Sequence, residues 1–137
     1  MYKIMLADDE GIVIDSLTFI IRQNFGENCE IASAKTGRSV IELAESFRPD
    51  IAFMDIQMPG INGIEAMKEI KKNNSNTIFI VMSAYDKFDY AKEAINLGVL
   101  DYLNKPVNQK KIVSVLQKAM DLIDARREKR SRDLEIK

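Results

Sequence analysis

Five short apolar runs divide the chain, and a helical pattern follows each of them. Ile4-Met5-Leu6-Ala7 stops at acids and has no polar alternation, which predicts a strand buried on both faces. From Ile12 to Asn24 the period changes: Val13, Leu17, Ile20 and Ile21 recur at helical spacing, and Gly26 supplies a cap. Cys29 to Ala34 predicts a second strand. Ser39 to Phe47 predicts a helix with Val40, Leu43, Ala44 and Phe47 on one face, ended by Pro49. Ile51-Ala52-Phe53-Met54 is a third strand, and after Pro59-Gly60 and Asn62-Gly63 a helix carries Ile64, Met67 and Ile70 inward. Ile78 to Met82 is the most β-like run. Phe88, Ala91, Ala94 and Ile95 then mark a helix closed by Gly98. Val99 to Leu103 is a fifth strand, and a last helix starting after Asn108 carries Ile112, Val113, Leu116, Met120 and Ile123. Strands alternating with helices predict an α/β fold, a doubly wound parallel sheet covered on both faces.

Composition narrows the chemistry. At 137 residues the chain has room for one full core. A formal net charge of −1 favours neither nucleic acid nor a membrane surface. The chain has no histidine, so His-based triads, His metal sites and a phosphohistidine relay within the chain are excluded. The single cysteine, Cys29, reads as a small buried hydrophobe in a reducing compartment. No apolar stretch is long enough for a signal peptide or a membrane span, and the expected location is the cytoplasm.

In an open parallel sheet, ligands bind beyond the carboxyl ends of the strands. Here strand one ends at Asp8 and Asp9, strand three at Asp55, strand four at Ser83, and strand five near Lys105. Taken singly, each has a plain explanation: an acid that forms a turn, a serine that caps a helix, a solvated lysine. Joint placement at four strand ends is what favours a site. Clustered carboxylates repel and raise each other's pKa unless compensated. A hard divalent cation is the natural compensation, and an all-oxygen set without Cys or His suits Mg²⁺ rather than zinc. Acids plus a lysine suit metal-assisted phosphoryl chemistry with a carboxylate nucleophile.

As a set, Asp8-Asp9-Glu10, Asp55-Ile56-Gln57-Met58-Pro59-Gly60, Ser83-Ala84 and Lys105-Pro106 resemble the response-regulator receiver domain, the chemotaxis-regulator-like fold of two-component signalling, from about Lys3 to Met120. The resemblance implies a flavodoxin-like (βα)5 sheet with strand order 2-1-3-4-5. It implies Asp55 as phosphoacceptor, with Mg²⁺ on Asp9, Asp55 and the backbone carbonyl of Gln57, and on Asp8 through a water. Lys105 would pair with the phosphoryl group, and the Lys105-Pro106 bond would be cis. Ser83, in place of the family's usual threonine, and Tyr102 would form the switch, altering the surface around Phe88, Tyr90 and Lys92. Gln57 and Tyr85 occupy positions that tune dephosphorylation. Ala7 stands where a larger aliphatic is usual, which implies a local packing adjustment.

The implied function is a phosphorylation-activated switch rather than a dedicated enzyme. It would be served by a sensor histidine kinase and relay a conformational change to an output domain. The stretch Ser83 to Ala91 is most similar to receivers of AraC-type transcriptional regulators, which implies a DNA-binding output module beyond this segment. Residues 1–122 are read as the receiver and 123–137 as a helical extension or linker. Positions 113, 116, 120 and 123 fit a coiled-coil seam, but it then meets Arg127 and Arg130 before Leu134, a pattern too broken to read as a coiled coil. The basic run from Arg126 to Arg132 has acids interspersed, so no nucleic-acid contact is expected from this segment itself. The family's pairing habit implies a phosphorylation-dependent homodimer through the fourth helix, fifth strand and fifth helix. Alternatives are a stand-alone receiver or phosphorelay protein and, less favoured, a Mg²⁺-dependent phosphohydrolase of the haloacid-dehalogenase kind. That enzyme needs an acid two residues after its nucleophile, where this chain has Gln57. A flavin module would need a phosphate-cradling loop where Asp8-Asp9-Glu10 stands.

Overall fold

The computed structural model describes residues 1–84 and 88–135, with Phe88 and Asp89 described by their backbone alone. Its elements in chain order are β1 (Tyr2–Ala7), α1 (Gly11–Phe25), a short 3-10 turn (Gly26–Asn28), β2 (Cys29–Ala34), α2 (Gly37–Phe47), β3 (Ile51–Asp55), α3 (Gly63–Asn73), β4 (Ile78–Ser83), α4 (Phe88–Asn96), β5 (Asp101–Asn104) and α5 (Gln109–Glu135). The strands form one parallel sheet in the order β2-β1-β3-β4-β5. The fold expected from the alternating pattern and the resemblance is therefore present.

Period-two alternation splits each central strand between two cores. Ile4, Leu6, Phe53, Ile80 and Met82 face α1 and α5. Met5, Ala7, Ala52, Met54 and Val81 face α2, α3 and α4. Because both faces are covered, β3 and β4 are buried at every position, which is why their sequences show no polar alternation.

Several details depart from the sequence pattern. The inward row of α1 is Ile14, Leu17 and Ile21, with Val13 and Ile20 half-buried beside it. Helix α2 starts two residues early because Thr36 and Ser39 form a reciprocal capping box: the Ser39 N–H donates to Thr36 Oγ1 at 3.1 Å and the Thr36 N–H to Ser39 Oγ at 3.1 Å. In α4, Ala94 is buried but Ile95 is 69% exposed, so Ile95 belongs to the outer face. Strand β5 starts at Asp101 rather than Val99, because the Val99 N–H is used to close α4 on the Ala94 carbonyl at 3.3 Å. Finally, α5 runs unbroken to Glu135, and Leu116, Met120 and Ile123 are buried in the domain's own core. Three of the four seam positions are thus already packed, and no open coiled-coil stripe remains among them.

Candidate functional site

Strands β1, β3, β4 and β5 deliver the expected residues to one edge of the sheet. Asp8 follows β1, held by its N–H to the Ala34 carbonyl at 3.2 Å, and its Oδ1 accepts the Glu10 N–H at 2.9 Å. That second bond is a local Asx turn, which reverses the chain into α1. Asp55 ends β3 and Ser83 ends β4, and both are buried. The Lys105 N–H donates to the Ser83 carbonyl at 2.8 Å, and the Lys105-Pro106 peptide is cis.

Side-chain geometry centres on Lys105. Its Nζ lies 2.7 Å from Asp8 Oδ2 and 3.2 Å from Asp55 Oδ2. The other Asp55 oxygen, Oδ1, accepts the Gln57 N–H at 3.3 Å. One ammonium therefore faces two buried carboxylates. Burial, and next the Asp8 carboxylate, push the Asp55 carboxyl up from 3.8 to about 6, against the opposing pull of Lys105 and the Gln57 N–H. Burial draws the Lys105 ammonium down, but its contacts with Asp8 and Asp55 together outweigh this and leave it above its ordinary 10.5.

One ligand atom each from Asp8, Asp9 and Asp55 falls within 4.8 Å of the others, with Asp9 exposed and the other two buried. Asp8 Oδ2 is fully buried, with the Lys105 ammonium 2.7 Å away. Three clustered carboxylates against one ammonium leave uncompensated negative charge, which suits a hard cation with oxygen ligands, and the residues fit Mg²⁺ on that ground.

Backbone packing fixes the loop after β3. The Gly63 N–H donates to the Ile56 carbonyl at 2.8 Å, and a Cβ on Gly63 would stand 2.1 Å from the Asp55 carbonyl oxygen. Asn62 caps α3 by accepting the Glu65 N–H at 3.0 Å. The sequence pattern marks Asn62-Gly63 only as a turn; the close approach that requires glycine there is a tertiary fact. Gln57 is exposed at the mouth of the site. Tyr102 is half-buried on β5 opposite Val81, and Tyr90 is half-buried on α4. Tyr85 and the side chain of Phe88, both expected near the switch, lie outside the described residues.

A protein-family model, "Response regulator receiver domain", matches residues 4–117. The chain is 40% identical over 118 residues to the uncharacterized transcriptional regulatory protein YesN of Bacillus subtilis, covering 85% of this chain and 32% of that protein. It is 34% identical to the transcriptional regulatory protein HptR of Staphylococcus aureus, covering 85% of this chain and 45% of that one. The chain thus spans less than half the length of either relative. Among solved structures, it superposes on the receiver domain of the response regulator AraT from Geobacillus stearothermophilus with a TM-score of 0.83 and 33% identity, covering 92% of this chain and 98% of that one. A receiver-domain protein from Methanospirillum hungatei gives a TM-score of 0.85 at 22% identity over 92% of this chain and 98% of that one, a likeness of fold. With the matching segment spanning the sheet and every strand-end residue of the site, the chain belongs to the response regulator receiver domain family.

Proposed function

We propose that this chain is a phosphorylation-activated switch in which Asp55 accepts a phosphoryl group. The observation that carries this reading is the convergence of Asp8, Asp9, Asp55 and Lys105 at one sheet edge, three carboxylates against one ammonium. A carboxylate oxygen of Asp55 forms a bond to phosphorus as the bond from phosphorus to the donor breaks, and the donor leaves with that electron pair. The product is an acyl phosphate. Lys105, already paired with Asp55 Oδ2, supplies positive charge where the phosphoryl oxygens gather it. Asp9, Asp55 and the Gln57 carbonyl would hold Mg²⁺, with Asp8 acting through a bound water. Bound there, the cation would neutralise charge on the carboxylates and phosphoryl oxygens.

The donor lies outside these 137 residues in this reading, because they contain no histidine. An apolar groove of about 390 Å³ opens beside Lys105, walled by Ile12, Val13 and Ile20 of α1 and by Pro106 and Val107. Ile12 is 75% exposed there, and we place the sensor kinase's docking helices on this groove.

Phosphorylation adds charge and acceptor oxygens. Ser83, buried at the end of β4, would donate to one of them, and Tyr102 would move into the space so released. The change would alter the face formed by α4, β5 and α5, where Ile95 is exposed, and favour pairing of two copies through it. Residues past 122 would lead to an output module, for which the similarity to transcriptional regulators supports DNA binding. No helix among the described residues is long and apolar enough to cross a membrane. A cytoplasmic location is part of the same proposal.

Intact mass after incubation with acetyl phosphate tests the reading. One phosphoryl adduct that needs Mg²⁺ and is lost in Asp55→Asn supports it; an adduct that persists in Asp55→Asn rejects Asp55 as acceptor. Light scattering with and without beryllofluoride and Mg²⁺ tests pairing, and an unchanged mass at high protein concentration would reject it.

A further inference from the structure

Helix α5 continues well past its last buried residue, Ile123, and residues 124–135 are all exposed. Leu134 is 65% exposed, so this overhang buries no apolar side chain. A helix end without packing is marginal in water. Polar contacts hold it instead, at the edge of the sheet opposite Asp55. The Tyr2 hydroxyl donates to Asp124 Oδ1 at 2.6 Å. Arg127 Nη2 reaches Asp50 Oδ2 at 3.4 Å, and its guanidinium lies 5.2 Å from the centre of the Tyr2 ring. Arg126 Nη1 donates to the Asn76 carbonyl at 3.0 Å.

These partners are anchored to the strands. Tyr2 is the first residue of β1, Asp50 immediately precedes β3, and Asn76 lies just before β4. Asp50 is fixed in turn: its Oδ2 accepts the Lys3 N–H at 2.8 Å, and its own N–H donates to the Lys3 carbonyl at 2.8 Å. Three strand starts thus grip one turn of α5, residues 124–127. The hydrogen bond to Asp124, with burial, also pushes the Tyr2 hydroxyl up to about 12, as expected for a phenol that donates to a carboxylate.

We infer that Tyr2, Asp50 and the Asn76 carbonyl latch α5 through Asp124, Arg126 and Arg127, making residues 124–135 a rigid lever rather than a flexible linker. Movement at the start of α5, which follows directly from the Lys105 loop, is then delivered to the overhang instead of being absorbed at its root. The second half of this inference rests on the proposed phosphoacceptor role; the latch itself does not.

The test uses the chain with Tyr2→Phe and Arg127→Ala combined, which removes the donor and the guanidinium but touches nothing at the phosphoryl edge. Hydrogen exchange of the amides from Asp124 to Arg132 should accelerate by roughly tenfold or more, the loss of a charge-assisted hydrogen bond. Exchange in β3 should stay as in the wild type. Unchanged exchange in the overhang would overturn the latch. Delivery is read by spin labels at Glu45→Cys and Ser131→Cys on a Cys29→Ala background. Beryllofluoride with Mg²⁺ should shift one narrow distance peak in the otherwise wild-type protein, and the Tyr2→Phe, Arg127→Ala pair should broaden it. A peak that stays put while intact mass shows acetyl phosphate adding to Asp55 would overturn the lever. Absence of any adduct would instead reject the phosphoacceptor reading, and with it delivery, while exchange still decides the latch.

Discussion

Replacing Gly63 with alanine is the sharpest test of how α3 is seated on the site. The new Cβ would stand 2.1 Å from the Asp55 carbonyl oxygen, 2.9 Å from its carbonyl carbon and 3.0 Å from Ile56 Cα. All three atoms are backbone, so no flexible side chain can yield. To reach ordinary contact at 3.4 Å, helix and strand end must part by about 1.3 Å. The Gly63 N–H bond to Ile56, at 2.8 Å, stretches with them. Overpacking of this kind costs about 1–3 kcal/mol. Alanine's better helix propensity returns at most about 1 kcal/mol. A net loss of about 2 kcal/mol corresponds to a fall in Tm of about 7 °C for a domain of this size. The control is Gly11→Ala at the start of α1, where the nearest atom is the mobile tip of Lys35 at 3.4 Å; its stability should stay within about 0.5 kcal/mol of wild type. Urea denaturation of both variants gives the comparison. Displacing Asp55 should also slow adduct formation from acetyl phosphate by about 100-fold, the cost of a misplacement near 1 Å. Equal stability of the two variants would refute the close approach.

Three further outcomes follow from the same geometry. The folded pKa of Asp55 in the metal-free chain is raised to about 6, so its stabilising contribution is present below about pH 4 and is lost as pH rises through 6. Thermal melts in chelator should therefore show Asp55→Asn gaining on the wild type between pH 4 and pH 6.5, and a difference that does not vary with pH would count against the burial of this carboxyl. Lys105→Met leaves Asp8 and Asp55 without their shared ammonium and should lower metal-free stability at pH 7 by about 3 kcal/mol, partly restored by Mg²⁺; equal losses with and without Mg²⁺ would contradict a cation site beside them. Thr36→Ala removes half of the capping box of α2 and should cost about 1 kcal/mol in urea denaturation, with no effect on the acetyl phosphate reaction.

Much of the architecture was legible because its signals are local. Buried parallel strands advertise themselves as unbroken apolar runs, so Ile51 to Met54 and Ile78 to Met82 needed no tertiary information. The four strand ends then placed Asp8, Asp55, Ser83 and Lys105 together by topology alone, as the structure has them. Contacts between distant segments were not legible. Nothing in the neighbourhood of Gly63 distinguishes a turn glycine from one pressed against the Asp55 backbone. Tyr2, Asp50 and Arg127 meet across 125 residues of chain and each reads separately as a surface group. The seam at positions 116, 120 and 123 was read with the right period, but period does not say whether the partner is another helix or the chain's own sheet.

Borohydride trapping locates the phosphorylated residue itself and so decides whether Asp55 is the acceptor. After reaction with acetyl phosphate and Mg²⁺, borohydride reduces an aspartyl phosphate to homoserine, and peptide sequencing by mass spectrometry then identifies its position. Homoserine is expected at residue 55, at no other acidic position, and only when Mg²⁺ is present. Homoserine at residue 8 or 9, or its complete absence from a protein that has gained a phosphoryl group, would contradict that expectation.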